Sequence, residues 1–547
     1  MSAVARGRRA FLKAAGALTL AGVSGPVRTD APPSLCGPAS GTRLLPPGAG
    51  GWFGTVDLAA GPVELAAQTV APTGGMPWTN AYAVVQGDAV RLAPTFVAEP
   101  GTRARITLRN RLDAPTIAHW HGLANDVAND GAGFVVAAPG ATYAYDFAVR
   151  NRAGLHWYHP HPHGTAAGQL YSGLFGLIRI DDDDERRLRR ALGLEWGVTE
   201  LPLVLQDRRD AIYAADGVDR HRGLLGHEAT VNGCTGAWLD AATRRYRLRI
   251  LNASSARTYR LALTRDGRPM PFHVLGNDGG LLAVPTPCES CFVSPAERVD
   301  LLLDLRDVPV GASVALETLD FDPMHARLPE SVDTAPVTHG REAGSREPAA
   351  RPSAAGPAAA AAVNSPGRTW HAWPEGGRKV LATFRVRSRE ADRGRLPEAL
   401  SALPPIDVAG APERALRLGF NKGRWRINDR VYAMHETPIE LPRRTSEVWL
   451  LRNYHTSMPH AMHVHGTHFR VLERETSPEQ VNALAIDERG RLATDLGLKD
   501  TVLVWPGESV RIAVRFDIDY DGAQTYLLHC HNMEHEDGGM MLGVRVT

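Results

Sequence analysis

Residues 529–541 read His529-Cys530-His531-Asn532-Met533-Glu534-His535-Glu536-Asp537-Gly538-Gly539-Met540-Met541. Two imidazoles flank a thiol, and on an extended strand successive side chains point to opposite faces. Cys530 therefore faces away from His529 and His531, and one strand feeds two different sites. A second stretch, Met458-Pro459-His460-Ala461-Met462-His463-Val464-His465-Gly466, follows the same logic. His463 and His465 share a face, while His460, an odd three residues earlier, turns away from them. The two-residue spacing recurs as His119/His121, His159/His161 and His161/His163. Random scatter of 21 His over 547 residues would give roughly 0.8 such pairs, and the chain carries five.

The strand reading extends outward from these motifs. Residues 89–92, 103–108 and 245–250 alternate polar with apolar side chains, the period of half-buried strands, between turns rich in Gly, Pro, Asn and Asp. With 54 Gly and 39 Pro the composition suits a loop-rich, mainly β chain, and 547 residues exceed what one core serves. Helical periodicity is confined to places such as residues 184–194, after the acidic run 181–184, which suits a helix N-terminus and reads as a solvated interdomain edge. From 328 to 369 the composition shifts to Ala, Pro, Gly, Arg and Ser, a linker or mobile insertion. Boundaries near 185 and 370 leave three comparable blocks.

At the N-terminus, Arg8-Arg9-Ala10-Phe11-Leu12-Lys13 precedes an apolar stretch and Ser24-Gly25-Pro26, the order of a secretory signal over residues 1–30. The paired arginines point to twin-arginine export to the periplasm or the medium, although Gly7 stands where Ser or Thr is usual. A net charge of +1 gives no footprint for nucleic acid, and no apolar run after residue 30 is long enough to span a membrane. Four cysteines besides Cys530, namely Cys36, Cys234, Cys288 and Cys291, could form two disulfides in three connectivities, and Cys288/Cys291 reads as structural.

Imidazole pairs alone say only that a metal is held, since copper, zinc, iron and nickel all accept them. His460, Cys530 and His535 add one thiolate to two imidazoles, and Met540 offers a weak thioether: the ligand set of blue copper. The eight histidines 119, 121, 159, 161, 463, 465, 529 and 531 are too many for one ion and suit a cluster of three.

Four motifs in order carry a resemblance: His119-Trp120-His121-Gly122, Trp157-Tyr158-His159-Pro160-His161, residues 458–466, and His529-Cys530-His531 through Met540. Over nearly the whole mature chain the sequence resembles the multicopper oxidase family, in its bacterial three-domain laccase and cuprous-oxidase-like form. The resemblance implies an all-β fold of three cupredoxin-like (plastocyanin-type) Greek-key β-sandwich domains, placed at 45–185, 186–327 and 370–547. The second would bind no copper and the third would hold type 1 copper. It implies four copper ions: type 1 as above, type 2 on His119 and His463, and a type 3 pair on His121, His159, His161, His465, His529 and His531. Electrons would pass through Cys530 to a cluster that reduces O2 to water, with Asp130 and Glu536 at the positions of proton-relay acids.

The reductant expected from this resemblance is a phenol or aromatic amine, with Cu(I) as the alternative. Met458 and residues 535–541 look like the copper-tolerance branch, but no Met occurs between Met324 and Met434. A copper-free scaffold of the same fold is opposed by every ligand position being filled. Neither a nucleic-acid partner nor a membrane span is expected, and the chain is expected to act as a monomer. His156, His163 and His468 read as neighbours of the ligands, and Trp120 and Trp157 as packing around the cluster.

Overall fold

The computed structural model describes residues 43–44, 48, 51–71, 76–209, 212–324 and 373–547. The secretory signal, Cys36 and the 328–369 insertion lie outside the described residues. Six sheets occur among the described residues, and they pair into three two-layer β blocks, each around its own apolar core. The all-β, three-domain cupredoxin-like architecture expected from sequence is the one found.

Alternation explains the strands. Arg103–Asn110 buries Ala104, Ile106 and Leu108 between exposed or half-exposed neighbours, and fully burying one such aliphatic side chain contributes about 1.5–3 kcal/mol. Arg245–Asn252 departs from the expected half-buried pattern, because it is buried along its whole length. Its Arg247 and Arg249 are tolerated inside by Glu185, Glu200 and Asp300, which pair with both guanidiniums. Part of the acidic run is likewise drawn inward. Asp182 caps the helix Asp183–Leu192 by accepting from the Glu185 amide, and Asp181 pairs with Arg179 and Arg189.

The expected boundary at 370 is corrected by strand pairing. Lys379–Ser388 lies between Ala237–Ala242 and Ser313–Thr318 in a sheet of the second block. The strands on either side of residues 325–372, Ser313–Thr318 and Lys379–Ser388, pair antiparallel, so the second block continues past the expected boundary. The third block begins with the strand Glu413–Asn421. Before it, Leu400 packs onto Leu188 and Leu192 of the helix.

Two sheets position the histidines. In the first block Ala118–His119 pairs antiparallel with Gly154–Pro160, placing His119 opposite His159. In the third, His460–Val464 pairs with Gln524–Cys530, placing His463 opposite His529 and Met462 opposite Cys530. Opposed residues share a face, so the thiol projects on the side away from His529, as the period of two requires.

Candidate metal centre

Cys530, His460 and His535 meet in the core of the third block. The Cys530 sulfur stands 3.5 Å from His460 Nδ1 and 3.6 Å from His535 Nδ1. His535 reaches it through the short helix Met533–Asp537, which Asn532 caps by accepting from the His535 amide. Each ring's far nitrogen is engaged: His460 Nε2 lies 3.1 Å from the Ser457 hydroxyl, and His535 Nε2 donates to the His221 carbonyl at 3.0 Å. Both Nδ1 atoms are thereby left to face the sulfur, the arrangement a metal-binding imidazole needs. Met540 is buried in the same core cluster, whereas Met541 packs with Ala132 and Leu527 on the other side. Burial pushes the Cys530 thiol up to about 12 and His460 down to about 3, so a metal bound here would have to displace the thiol proton.

The other eight histidines converge between the first and third blocks, all buried. His159 Nε2 stands 3.3 Å from His121 Nδ1 and 3.4 Å from His531 Nε2. His529 Nε2 stands 2.9 Å from His465 Nε2 and 3.5 Å from His161 Nε2. Two triads result, with His119 and His463 stacked against His465 and His121 respectively. His119 and His463 donate from Nδ1 to the main-chain carbonyls of Asp130 and Asp500, each at 2.8 Å. Their Nε2 atoms are buried and have no protein partner. Orphaned nitrogens aimed into a nest of neutral imidazoles fit a metal ion, since a buried acceptor without a partner is otherwise costly. Burial holds the cluster histidines in the neutral, ligating form, with His119, His465 and His531 down to about 3.

Both expected carboxylates are at the cluster. Asp130 Oδ2 accepts from His465 Nδ1 at 2.9 Å and lies 3.6 Å from His119 Nδ1. Gly131, at φ 76°, lets this turn approach the neighbouring strand, where a Cβ would fall 2.0 Å from the Ala118 carbonyl. Glu536 lies 3.5 Å from His161 Nε2 and 3.4 Å from His529 Nδ1. Burial pushes Asp130 up to about 6 and raises Glu536 well above the carboxylate range, which suits groups that hold a proton.

Multicopper oxidase family profiles match residues 66–185 and 409–547. The crystal structure of the McoA multicopper oxidase from the hyperthermophile Aquifex aeolicus is 30% identical, superposes with a TM-score of 0.75, and spans 92% of this chain and 98% of its own. The chain belongs to the multicopper oxidase family. A laccase of Bacillus subtilis is 27% identical over 74% of this chain and 72% of its own length. The Campylobacter jejuni multicopper oxidase described as a metallo-oxidase, 22% identical with a TM-score of 0.64, shares the fold. Membership makes this chain an oxidoreductase that uses copper, a reductant and O2.

As a multicopper oxidase the chain adds residues that sequence reasoning passed over. Asp500, fully buried, accepts from His121 Nε2 at 3.1 Å and pairs with Arg298. Burial opposes its ionisation, but the Arg298 guanidinium and His121 outweigh that and hold it well below the usual range. Trp425 covers the Cys530 centre, with ring centroids 4.9 Å from His460 and 5.0 Å from His535, and donates to the His221 carbonyl at 2.7 Å. His163 Nε2 donates to the Ala132 carbonyl at 2.9 Å, and the His156 and His468 rings stand 5.8 Å apart. Trp157 packs on His159 at 4.3 Å, whereas Trp120 faces the core of the first block with Tyr145 and Tyr158.

The structural disulfide role expected of Cys288 and Cys291 is not found, for both thiols are free. Cys288 ends a strand of one sheet and Cys291 starts a strand of the facing sheet, and the Cys288 thiol donates to the Ser290 carbonyl instead. Cys234 is disulfide-bonded. No helix among the described residues is long and apolar enough to cross a membrane.

Proposed function

We propose that this oxidase couples four one-electron oxidations of a phenol or aromatic amine to the reduction of O2 to two waters, using four copper ions. The observation that carries the reading is Cys530, whose thiol meets His460 and His535 while its covalent neighbours His529 and His531 join the two histidine triads. When bound, copper supplies the one-electron couple at the thiolate and the O2-reducing surface at the histidines.

The rest falls to this chain's own groups. His460, Cys530, His535 and Met540 would hold the type 1 ion, His119 and His463 the type 2 ion, and the two triads the type 3 pair. The Cys530 main chain offers a continuous bonded connection between the centres. Asp130 and Glu536 would hold protons beside His465 and His161 for the product waters. Trp425 excludes water from the His460 and His535 rings. Export by the twin-arginine route belongs to the same proposal, supported by Arg8-Arg9 and the apolar stretch after them.

Trp425 also favours a second reading. Both type 1 imidazoles are buried beneath it, leaving neither edge bare for a planar ring, which suits a small reductant such as Cu(I). Oxygen uptake by the copper-loaded protein, driven in parallel by 2,6-dimethoxyphenol and by Cu(I), separates the two. Turnover of the phenol is expected. Uptake with Cu(I) alone would overturn the organic substrate, and uptake with neither would overturn the oxidase.

A further inference from the structure

The second block contributes none of the ligands assigned above, yet one of its side chains reaches the histidine cluster. Arg298 opens the strand Arg298–Asp304 and is buried. Its two Nη atoms grip both oxygens of Asp500, at 2.8 Å and 2.6 Å. The same guanidinium donates to the Leu155 carbonyl in the first block at 3.1 Å, and to Ala296 and Asp278 carbonyls in the second at 3.1 Å and 2.9 Å. All three blocks meet on one planar group. A fork engaged on every side cannot swing, so it fixes the position and orientation of the carboxylate it holds. The chain passes this pair at Gly122, at φ 84°, where a Cβ would fall 2.7 Å from Asp500 Oδ2.

What Asp500 then does is tautomeric. Its Oδ1 accepts from His121 Nε2, and its main-chain carbonyl accepts from His463 Nδ1. His121 is thereby protonated on Nε2 and turns Nδ1 toward His159, whereas His159, His465 and His529 present Nε2 to their neighbours. His463, protonated on Nδ1, turns Nε2 inward. An imidazole in the other tautomer would offer a proton where a lone pair is needed.

We infer that Arg298 is a positioning residue of the histidine cluster: through Asp500 it selects the ligating nitrogen of His121 and sets the orientation of His463. The inference rests on the copper-oxidase reading above. It gives the second block a part in building a centre to which it supplies no ligand.

Lys499 provides the contrast. It is buried in the same seam and its ammonium pairs with Asp278 at 3.2 Å and Glu297 at 2.9 Å, carboxylates that lie on the second block rather than on a ligand. Copper-loaded parent, Arg298→Lys and Lys499→Met chains are titrated with a chelator while the blue band, the type 2 electron paramagnetic resonance signal and the thermal midpoint are followed. Arg298→Lys is expected to keep its blue band, change the type 2 signal, and release cluster copper at about 10- to 100-fold lower chelator concentration. Lys499→Met is expected to lower the midpoint and leave the type 2 signal as in the parent. An Arg298→Lys chain with the parental signal and retention overturns the inference, as does a Lys499→Met chain with the same spectral change. Should Arg298→Lys not fold, Asp500→Asn tests the link through which it acts, and an unchanged type 2 signal there also overturns it. A parent that binds no cluster copper overturns the oxidase reading instead.

Discussion

The two candidate copper centres share the strand Gln524–Cys530 but are built differently. The Cys530 centre takes every side-chain ligand from the third block, and the second block braces it through the His221 carbonyl, which accepts from His535. The histidine cluster takes half of its rings from the first block and half from the third, and leans on Arg298 of the second. The first centre can assemble when one β-sandwich folds. The second exists only after three blocks have docked, so it is where docking errors, acid and chelators act first.

Cys530→Ser breaks the connection and has the largest expected effect. A hydroxyl neither supplies the thiolate donor nor gives its intense visible absorption, so the blue colour and turnover should fall to background. The cluster's copper should remain, because none of its rings is touched. Visible absorption and copper content check this, and a retained blue band would show that the thiolate has been wrongly placed.

Acid should separate the centres next. In the copper-free protein His119, His465 and His531 titrate near 3 and the other cluster rings well below their usual value, all chiefly because burial disfavours the charged ring. A ring whose folded pKa is lowered contributes stability that is full above about 6.5, its unfolded value, and is lost as pH falls toward the folded value. Each withdraws about 1.4 kcal/mol per pH unit in that window, so a few exhaust the about 5–15 kcal/mol typical of a domain. The chelator-stripped protein should therefore lose its thermal transition between about pH 6.5 and 4.5, and copper should shift that loss to lower pH. A midpoint that stays flat across this range would contradict the burial of the cluster.

Proton supply is the next test. Asp130→Asn keeps the shape of the side chain but removes an acid beside His465, and a positioned proton donor contributes about 10²- to 10⁴-fold. Steady-state oxygen uptake should fall by about 10²-fold, toward the lower end of that range because Glu536 remains beside His161. Anaerobic bleaching of the blue band by the reductant should keep its parental rate, since the Cys530 centre is untouched. Slowed bleaching would place Asp130 on the reductant side.

Period-two logic made the ligand rings legible, because strand geometry sorts His460, His463, His465, His529, Cys530 and His531 onto faces without any knowledge of tertiary structure. It could not find Asp500 or Arg298, which are brought to the rings by docking and carry no local spacing signal. His535 was recognised as a ligand, but its helical turn was not, being only Met533–Asp537 and set by the Asn532 cap rather than by apolar periodicity. The Cys288/Cys291 spacing misled because a short turn between two sheets has the same sequence look as a bridged loop. Composition misplaced the third block because a shift to Ala and Pro carries no signal that the strands flanking it pair with each other.

Met540 should give the smallest effect, and it tests how complete the Cys530 centre is within one block. Met540 is buried beside the thiol, and its main-chain carbonyl accepts from the Cys530 amide at 3.1 Å, which fixes the residue whatever its side chain. Met541 opens the last strand opposite His529 and packs toward Ala132 and Leu527. A thioether is a weak axial donor that favours the oxidised ion, so Met540→Leu should raise the type 1 potential while the blue band persists. Leucine fills nearly the same volume, so the core should tolerate the exchange at under about 1.5 kcal/mol. Phenol turnover should stay within a few-fold of the parent. Redox titration of the blue band reads the outcome: an unchanged or lowered potential in Met540→Leu, or a raised one in Met541→Leu, would move the axial position to Met541 and require the final strand to enter the site with the opposite face.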